Sequence, residues 1–295
     1  MRTIVHLSDL HFGRIDESVV GPLVESVKES RPDVVAVSGD LTQRAREEQF
    51  KEAREFLDRL PNVPQIVVPG NHDVPLWNVF KRFLQPLDGF RRIISEDLEP
   101  SYADEEVAIV GVNTARSLTV KHGRINEEQV GRVRELLCWL PDGVTKIVVT
   151  HHPFDVPEGT DESELVGRAR MAMETLAECG ADLLLAGHLH VGHTGHTAKR
   201  YNKTGHSALV IQAGTATSSR VRGEVNSFNV VRVKHPHVNV LRHTYRPDER
   251  RFAPASSEHF QHTPDGWARL SDESAAGIAY EEATDGLQPH APEGN

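Results

Sequence analysis

The chain has 295 residues, 38% of them hydrophobic, and a formal net charge of −10 from 43 acidic and 33 basic side chains. That length holds one large domain or two small ones and allows a sizeable core. The acidic balance argues against a general binder of nucleic acid or anionic membrane, which needs a basic footprint. It leaves an anionic substrate open, because a bound cation inverts the local field. Cys138 and Cys179 sit in apolar helical patterns and make no disulfide framework, so they read as packed thiols in a reducing, cytoplasmic setting. The start, MRTIVHLSDLHFG, has no long apolar stretch of the signal-peptide kind. No run of 18 apolar residues exists, so no membrane span is expected.

A unit recurs along the chain: a short apolar strand, a polar loop, then often a helix. Ile4-Val5 leads into Ser8-Asp9-Leu10-His11, with a helix expected over 18–30. Residues 34–37 lead into Gly39-Asp40, and a helix over 44–60 carries Phe50, Ala53, Phe56, Leu57 and Leu60 on one stripe. Residues 66–68 lead into Gly70-Asn71-His72-Asp73. Trp77, Phe80, Phe83 and Leu84 then make an apolar helix face that suits either the core or a homodimer interface. A strand over 107–112 ends at Asn113, and Asn126 with Gln129 three residues on marks a helix start. Residues 147–149 lead into His151-His152, and the acidic stretch 158–164 reads as a solvated loop. A helix over 164–179 stops at Gly180. Residues 183–186 lead into Gly187-His188-Leu189-His190, with His193, His196 and His206 in the surface loop beyond.

After residue 205 the pattern turns β-rich, with strands at 208–211, 228–233 and 238–243. The polar loop from Thr215 through Thr217, Ser218, Ser219, Arg220 and Arg222 reads as a solvated turn. Its functional alternative is an arginine on a phosphate or a brace beneath a site. Residues 251–295 read as a C-terminal extension after a domain over 1–250, disordered from about 271, where large apolar groups nearly vanish.

In open α/β sheets ligands collect at the carboxyl ends of strands. All five polar loops follow strands, so Asp9, His11, Asp40, Asn71, His72, His151, His152, His188 and His190 are expected to converge. A lone Asp or His after a strand is ordinarily a turn residue or cap; nine on converging loops call for another account. Bare carboxylates would repel one another, and buried imidazoles would lack partners. Two divalent or trivalent ions from the set Mn, Fe, Zn and Co resolve both problems, and the absence of cysteine argues against a structural zinc site. A carboxylate can bridge two such ions, and the water between them loses a proton near neutral pH to become a nucleophile.

The blocks Asp9-Leu10-His11, Gly39-Asp40, Gly70-Asn71-His72-Asp73, His151-His152-Pro153 and Gly187-His188-Leu189-His190, in this order, resemble the calcineurin-like metallophosphoesterase superfamily over residues 9–190. The resemblance implies an α/β fold, an αββα four-layer sandwich of two mixed sheets flanked by helices. It implies Asp9, His11, Asp40 and His190 around a first ion, Asp40 as bridge, and Asn71, His151 and His188 around a second. His72 is implied at the leaving group, as proton donor or transition-state stabiliser, with Asp73 orienting its ring. The flanks His6-Leu7-Ser8 and Val37-Ser38-Gly39-Asp40-Leu41-Thr42 are most similar to class III cyclic-nucleotide phosphodiesterases and glycerophosphodiesterases. Gln43-Arg44-Ala45 and Asp73 differ from what the protein phosphatases of the superfamily carry, and Gln43 stands where the phosphodiesterase relatives usually have an acid. Asn113, His152 and Arg220 are candidate substrate-side residues.

The function so implied is dinuclear hydrolysis of a small phosphodiester, a cyclic nucleotide or glycerophosphodiester, by attack of metal-bridging hydroxide, with no long nucleic acid as partner. The alternatives are a nuclease or phosphomonoesterase of the same superfamily and a non-catalytic metal-binding scaffold.

Overall fold

The computed structural model describes residues 1–76, 79–119, 121–197, 200–201, 207–219, 224–264 and 266–271. Along the chain come β1 (Arg2–Leu7), α1 (Glu17–Glu29), β2 (Val34–Ser38), α2 (Glu47–Asp58) and β3 (Gln65–Val68), then two short helices, α3 (Val79–Leu84) and α4 (Asp88–Ile93). β4 (Ser101–Ala103), β5 (Val107–Gly111), α5 (Glu127–Leu137), β6 (Thr145–Val149), α6 (Ala169–Glu178) and β7 (Leu183–Ala186) follow. The remainder is strand: β8 (His193–His196), β9 (Leu209–Gln212), β10 (Ser227–Lys234), β11 (His237–Arg246), β12 (Arg251–Thr263) and β13 (Gly266–Arg269).

The strands form a seven-stranded sheet, β13-β12-β11-β10-β1-β2-β3, and a six-stranded sheet, β4-β5-β6-β7-β9-β8. Each has a parallel block: β1-β2-β3, at one side of the first sheet with antiparallel strands beyond β1, and β5-β6-β7-β9, flanked by antiparallel β4 and β8, in the second. Alternation along the strands sets the layers. In β1, Ile4 joins Val34, Ile66, Ile109, Ile147 and Leu185 in an apolar layer between the sheets. Val5 and Leu7 turn outward, onto Leu23, Val27, Phe50 and Leu57 of α1 and α2. On the far side, Ala108, Val110 and Val148 meet Val133, Leu137, Met173 and Leu176 of α5 and α6. Full burial of each such Val, Leu or Ile side chain contributes about 1.5–3 kcal/mol. The result is the αββα sandwich, with the parallel strands of both sheets opening toward one end.

α5 starts where Asn126 accepts the amide of Gln129 at 2.8 Å, the capping box read in the sequence. α6 begins later than expected. Residues 162–164 form a single 3₁₀ turn, and Arg168 takes a left-handed conformation, φ 67°, which breaks the helix before residue 169. The boundary set after residue 250 falls inside the β11–β12 hairpin, since β12 and β13 continue the seven-stranded sheet. Trp267 of β13 reaches across to the other sheet and donates to Asp182, just before β7, at 3.1 Å. Residues Trp77, His206, Arg220 and Arg222 and the tail beyond 271 lie outside the described residues.

Cys138 and Cys179 are a disulfide rather than two separate thiols, their Cα atoms 4.1 Å apart. They cap the C-termini of α5 and α6, neighbouring helices that end at one level, a closeness that 41 residues of separation conceal. The thiol argument for a reducing compartment falls with that pairing. Among the described residues, no helix is long and apolar enough to cross a membrane. Phe80, Phe83 and Leu84 of α3 are solvent-facing rather than core, Phe80 at 78% exposure.

Candidate metal centre

Tight loops leave the carboxyl ends of β1, β2 and β7, and three features of the chain force them into place. Asp9, His11, Asp40, His188 and His190 all sit at positive φ, between 52° and 73°. Such left-handed backbone costs a non-glycine residue of order 1–3 kcal/mol and persists only where its surroundings over-determine it. Here the amides of Asp9, His11 and Phe12 donate to the carbonyls of Gly39, Asp40 and Leu41 at 2.9–3.1 Å, zipping the first loop to the second. From beneath, the hydroxyls of Thr215 and Thr217 donate to the carbonyls of Asp9 and Leu10 at 2.7 and 2.5 Å. Both threonines and Ser218 are buried, so the loop read as a solvated turn is the brace under the site. Its signal in the sequence was only a run of hydroxyls after a strand.

Close packing does the rest. A Cβ added to Gly70 would be driven into the carboxylate and backbone nitrogen of Asp40, and one on Gly39 would meet the His151 ring at 2.8 Å. Gly39 also has φ +85°. The glycines before Asp40 and Asn71 thus admit the ligand loops to one another.

Two donor sets result. In the first, His11 Nε2 lies 3.3 Å from His190 Nε2, 3.6 Å from Asp9 Oδ1 and 3.8 Å from Asp40 Oδ2. His190 Nε2 lies 3.3 Å from Asp9 Oδ1. In the second, His151 Nε2 lies 3.1 Å from Asn71 Oδ1, 3.3 Å from His188 Nδ1 and 3.4 Å from the same Asp40 Oδ2. Seven side chains named from the sequence, Asp9, His11, Asp40, Asn71, His151, His188 and His190, are therefore brought together, with one Asp40 oxygen facing both sets. The carboxylates and imidazoles among them are buried.

The hydrogen bonds fix which nitrogens are free. His151 Nδ1–H donates to the Ser38 carbonyl at 2.8 Å, and His188 Nε2–H donates to Glu164 at 3.0 Å. Each ring spends its proton there, so His151 Nε2 and His188 Nδ1 point lone pairs at one another. Asp9 Oδ1, fully buried, accepts no hydrogen bond among the described residues. Buried acceptors facing acceptors are unfavourable unless a cation stands between them. Oxygen and imidazole donors without thiolate suit hard or borderline ions. Without an ion a proton takes that place: burial opposes it, but the charge of Asp40 and its hydrogen bond push His151 up to about 9. Burial and the neighbouring His151 charge hold His188 down, near about 4.

His152 is different. Its Nε2–H donates to the Lys121 carbonyl at 2.9 Å and its Nδ1 accepts from the Thr114 hydroxyl at 2.8 Å. Both ring nitrogens are spent although the ring lies beside His151 and His188, so in this arrangement His152 ties Thr114 and the Lys121 carbonyl together. Asn113 accepts the amide of Ala115 and passes its own amide to Glu99. It lines a cleft with Arg116, Gln129 and Arg132.

Asp73 also departs from expectation. Its carboxylate accepts the amides of Leu41, Thr42 and Gly70 and the Thr42 hydroxyl at 2.9–3.2 Å, clamping the second loop to the third. Burial, then the charge of Asp40, raises it to about 6 against those donors. The ring of His72 is oriented by Gln43 instead: Nδ1–H donates to the Gln43 main-chain carbonyl at 2.9 Å. A main-chain partner tolerates a non-acidic residue at that position. The His72 amide donates to Asp40 Oδ1 at 2.8 Å, and its ring stands 4.9 Å from that of His11, at the rim of the first donor set.

A four-layer sandwich with oxygen and imidazole donors at the open ends of its parallel strands has the architecture of a metallophosphoesterase. The chain belongs to the calcineurin-like phosphoesterase family, whose profile matches residues 2–192. It is 30% identical over 164 residues to a probable glycerophosphodiester phosphodiesterase, GpdQ, of Arcobacter nitrofigilis, covering 54% of this chain and 57% of that one. It is 24% identical over 162 residues to the 3′,5′-cyclic adenosine monophosphate phosphodiesterase CpdA of Haemophilus influenzae, covering 54% of each. The chain thus spans little more than half the length of these curated relatives. Among solved structures, a dimetal phosphatase from Danio rerio superposes with a TM-score of 0.59 at 13% identity, over 81% of this chain and 95% of that one. Purple acid phosphatase PPD1 from yellow lupin, Lupinus luteus, gives 0.64 at 12% identity, over 87% and 53%. At such identities the superpositions show the fold alone.

Proposed function

We propose that the chain is a dinuclear-metal phosphodiesterase acting on a small phosphodiester, of the cyclic-nucleotide or glycerophosphodiester kind. The observation that carries this is the pair of facing imidazole nitrogens, His151 Nε2 and His188 Nδ1 at 3.3 Å, beside an Asp40 oxygen that also faces the first donor set. Asp9, His11 and His190 with Asp40 would hold one ion; Asn71, His151 and His188 with Asp40 would hold the other. When bound, the ions supply Lewis acidity at the phosphoryl oxygens and a water that ionises near neutral pH. Mn, Fe, Zn and Co all suit these donors.

The protein's own groups do the remainder. Asp73 and the braces from Thr215 and Thr217 keep the ligand loops fixed, so no reorganisation is needed as charge develops. His72, tethered through Nδ1, offers Nε2 toward the substrate side; as imidazolium it donates that proton to the departing alkoxide while the phosphorus–oxygen bond breaks. The names of the relatives favour a diester over a monoester, and the net charge of −10 favours a small substrate over a long polyanion. The exposed Phe80, Phe83 and Leu84 support pairing of two copies through α3.

The test is turnover of bis(4-nitrophenyl) phosphate by manganese-loaded protein. Hydrolysis is expected, with His72→Ala keeping its metal and losing about 10²–10⁴-fold in kcat. No turnover by the loaded wild type, or an undiminished His72→Ala, would sink the assignment.

A further inference from the structure

Resting on the two-ion site proposed above, we infer that Glu164 is a positioning residue for the second ion: its carboxylate fixes the tautomer and aim of His188. Glu164 ends the 3₁₀ turn after the acidic loop, and nothing in its sequence surroundings marks it. Its Oε2 accepts His188 Nε2–H at 3.0 Å. An imidazole carries one proton when neutral, so this bond commits the proton to Nε2 and leaves Nδ1 as the donor facing His151. With the proton on Nδ1 instead, His188 would present N–H to the ion and could not bind it.

The carboxylate is held for that task. The Val166 amide donates to the Pro153 carbonyl at 2.9 Å, and the Gly167 amide to the Gly123 carbonyl at 2.8 Å, which pins the chain just beyond Glu164. Lys121 closes an ion pair with the other oxygen, Oε1. The carbonyl of Lys121 is in turn held by His152 Nε2–H at 2.9 Å. The chain of contacts runs from buried His152 to Lys121, to Glu164, to His188. It gives His152, whose nitrogens are both spent, a reason to stand beside the ligands. Glu164 is only 16% exposed, so its bond to His188 is partly shielded from water, unlike an ordinary surface pair. Lys121 offsets the carboxylate charge, so an anionic substrate approaching that rim meets a neutral pair rather than a bare acid.

The experiment is calorimetric titration of the metal-free full-length chain with Mn²⁺, with melting of the metal-free protein as a check on folding. Wild type takes up two ions. Glu164→Ala weakens one of them by about 10–100-fold, the usual effect of removing such a partner, and leaves the other unchanged. Glu164→Gln, whose amide oxygen still accepts Nε2–H, restores most of the lost affinity. If Glu164→Ala fails to fold, Glu164→Asp, which draws the carboxylate back by one methylene, carries the same expectation of a selective loss. Wild-type affinity at both ions in the truncated or shortened variant overturns the inference. So does equal weakening of both ions, or a Gln variant as deficient as Ala. A wild-type chain that binds fewer than two ions overturns the dinuclear site itself, and that failure is told apart because it shows before any substitution.

Discussion

The two ends of the parallel strands handle buried and half-buried carboxylates in opposite ways. At the amino ends each named acid has donors from the chain. Asp33 accepts the Thr3 amide at 2.7 Å. Asp104 takes the amides of Glu106 and Val107, the Tyr102 hydroxyl and Arg2 Nε at 2.6–2.9 Å. Asp182 takes the Lys146 amide and the Trp267 indole. At the carboxyl ends Asp9 Oδ1 accepts no such bond among the described residues, His151 Nε2 and His188 Nδ1 face one another at 3.3 Å, and five of the converging residues hold strained backbone. Carboxylates alone therefore do not mark function. Function is marked where the chain leaves acceptors facing acceptors and spends hydrogen bonds on keeping them so.

Changes at the carboxyl end should abolish turnover with little cost in stability, and changes at the amino end should do the reverse. Of the changes that remove no chemical group, the largest effect is expected from Gly70→Ala, which displaces Asp40. Misplacement on that scale costs about 10²-fold or more in kcat, read by steady-state kinetics on the manganese-loaded variant; unchanged kinetics would mean the loops can give way. Next is Trp267→Ala, at the other end. It empties a buried site and leaves Asp182 without its indole partner, costing about 3–5 kcal/mol in denaturant unfolding with turnover per folded molecule preserved. A loss of turnover in step with stability would erase the division between the ends.

The smallest effect concerns acid. Asp104 is held at about 2: burial raises it, but the amides of Glu106 and Val107, the Tyr102 hydroxyl and Arg2 bring it below its ordinary 3.8. A depressed carboxyl contributes stability above its unfolded value and loses it as pH falls through the folded one. Asp104→Asn should thus flatten the acid limb of stability between about pH 4 and about pH 2, with no change in the pH dependence of turnover.

Much of this was legible in the sequence, for a physical reason. Strands buried on both faces are continuous apolar runs, and ligands in such sheets follow them directly, so Asp9, Asp40, Asn71, His151 and His188 could be placed from local pattern alone. β12 and β13 were not, because Arg251–Thr263 alternates with polar and charged residues on a half-solvated sheet and lacks an apolar run. Partner choice was illegible too. Asp73 adjoins His72 in sequence, yet its side chain turns to the amides of Leu41 and Thr42, while the His72 ring finds a main-chain carbonyl that no side-chain pattern can announce. His151 and His152 are the same residue type side by side; only the hydrogen bonds on their four nitrogens tell the two apart. The disulfide and the reach of Glu164 depend on tertiary contacts across tens of residues, where local pattern carries no information.

Titration of Asp40→Asn with Mn²⁺ tests most directly whether one carboxylate, Asp40, serves both donor sets. Neutralising that oxygen should weaken both ions together and abolish turnover while the metal-free protein still melts cooperatively. Weakening of one ion with the other left at wild-type affinity would contradict the shared bridge.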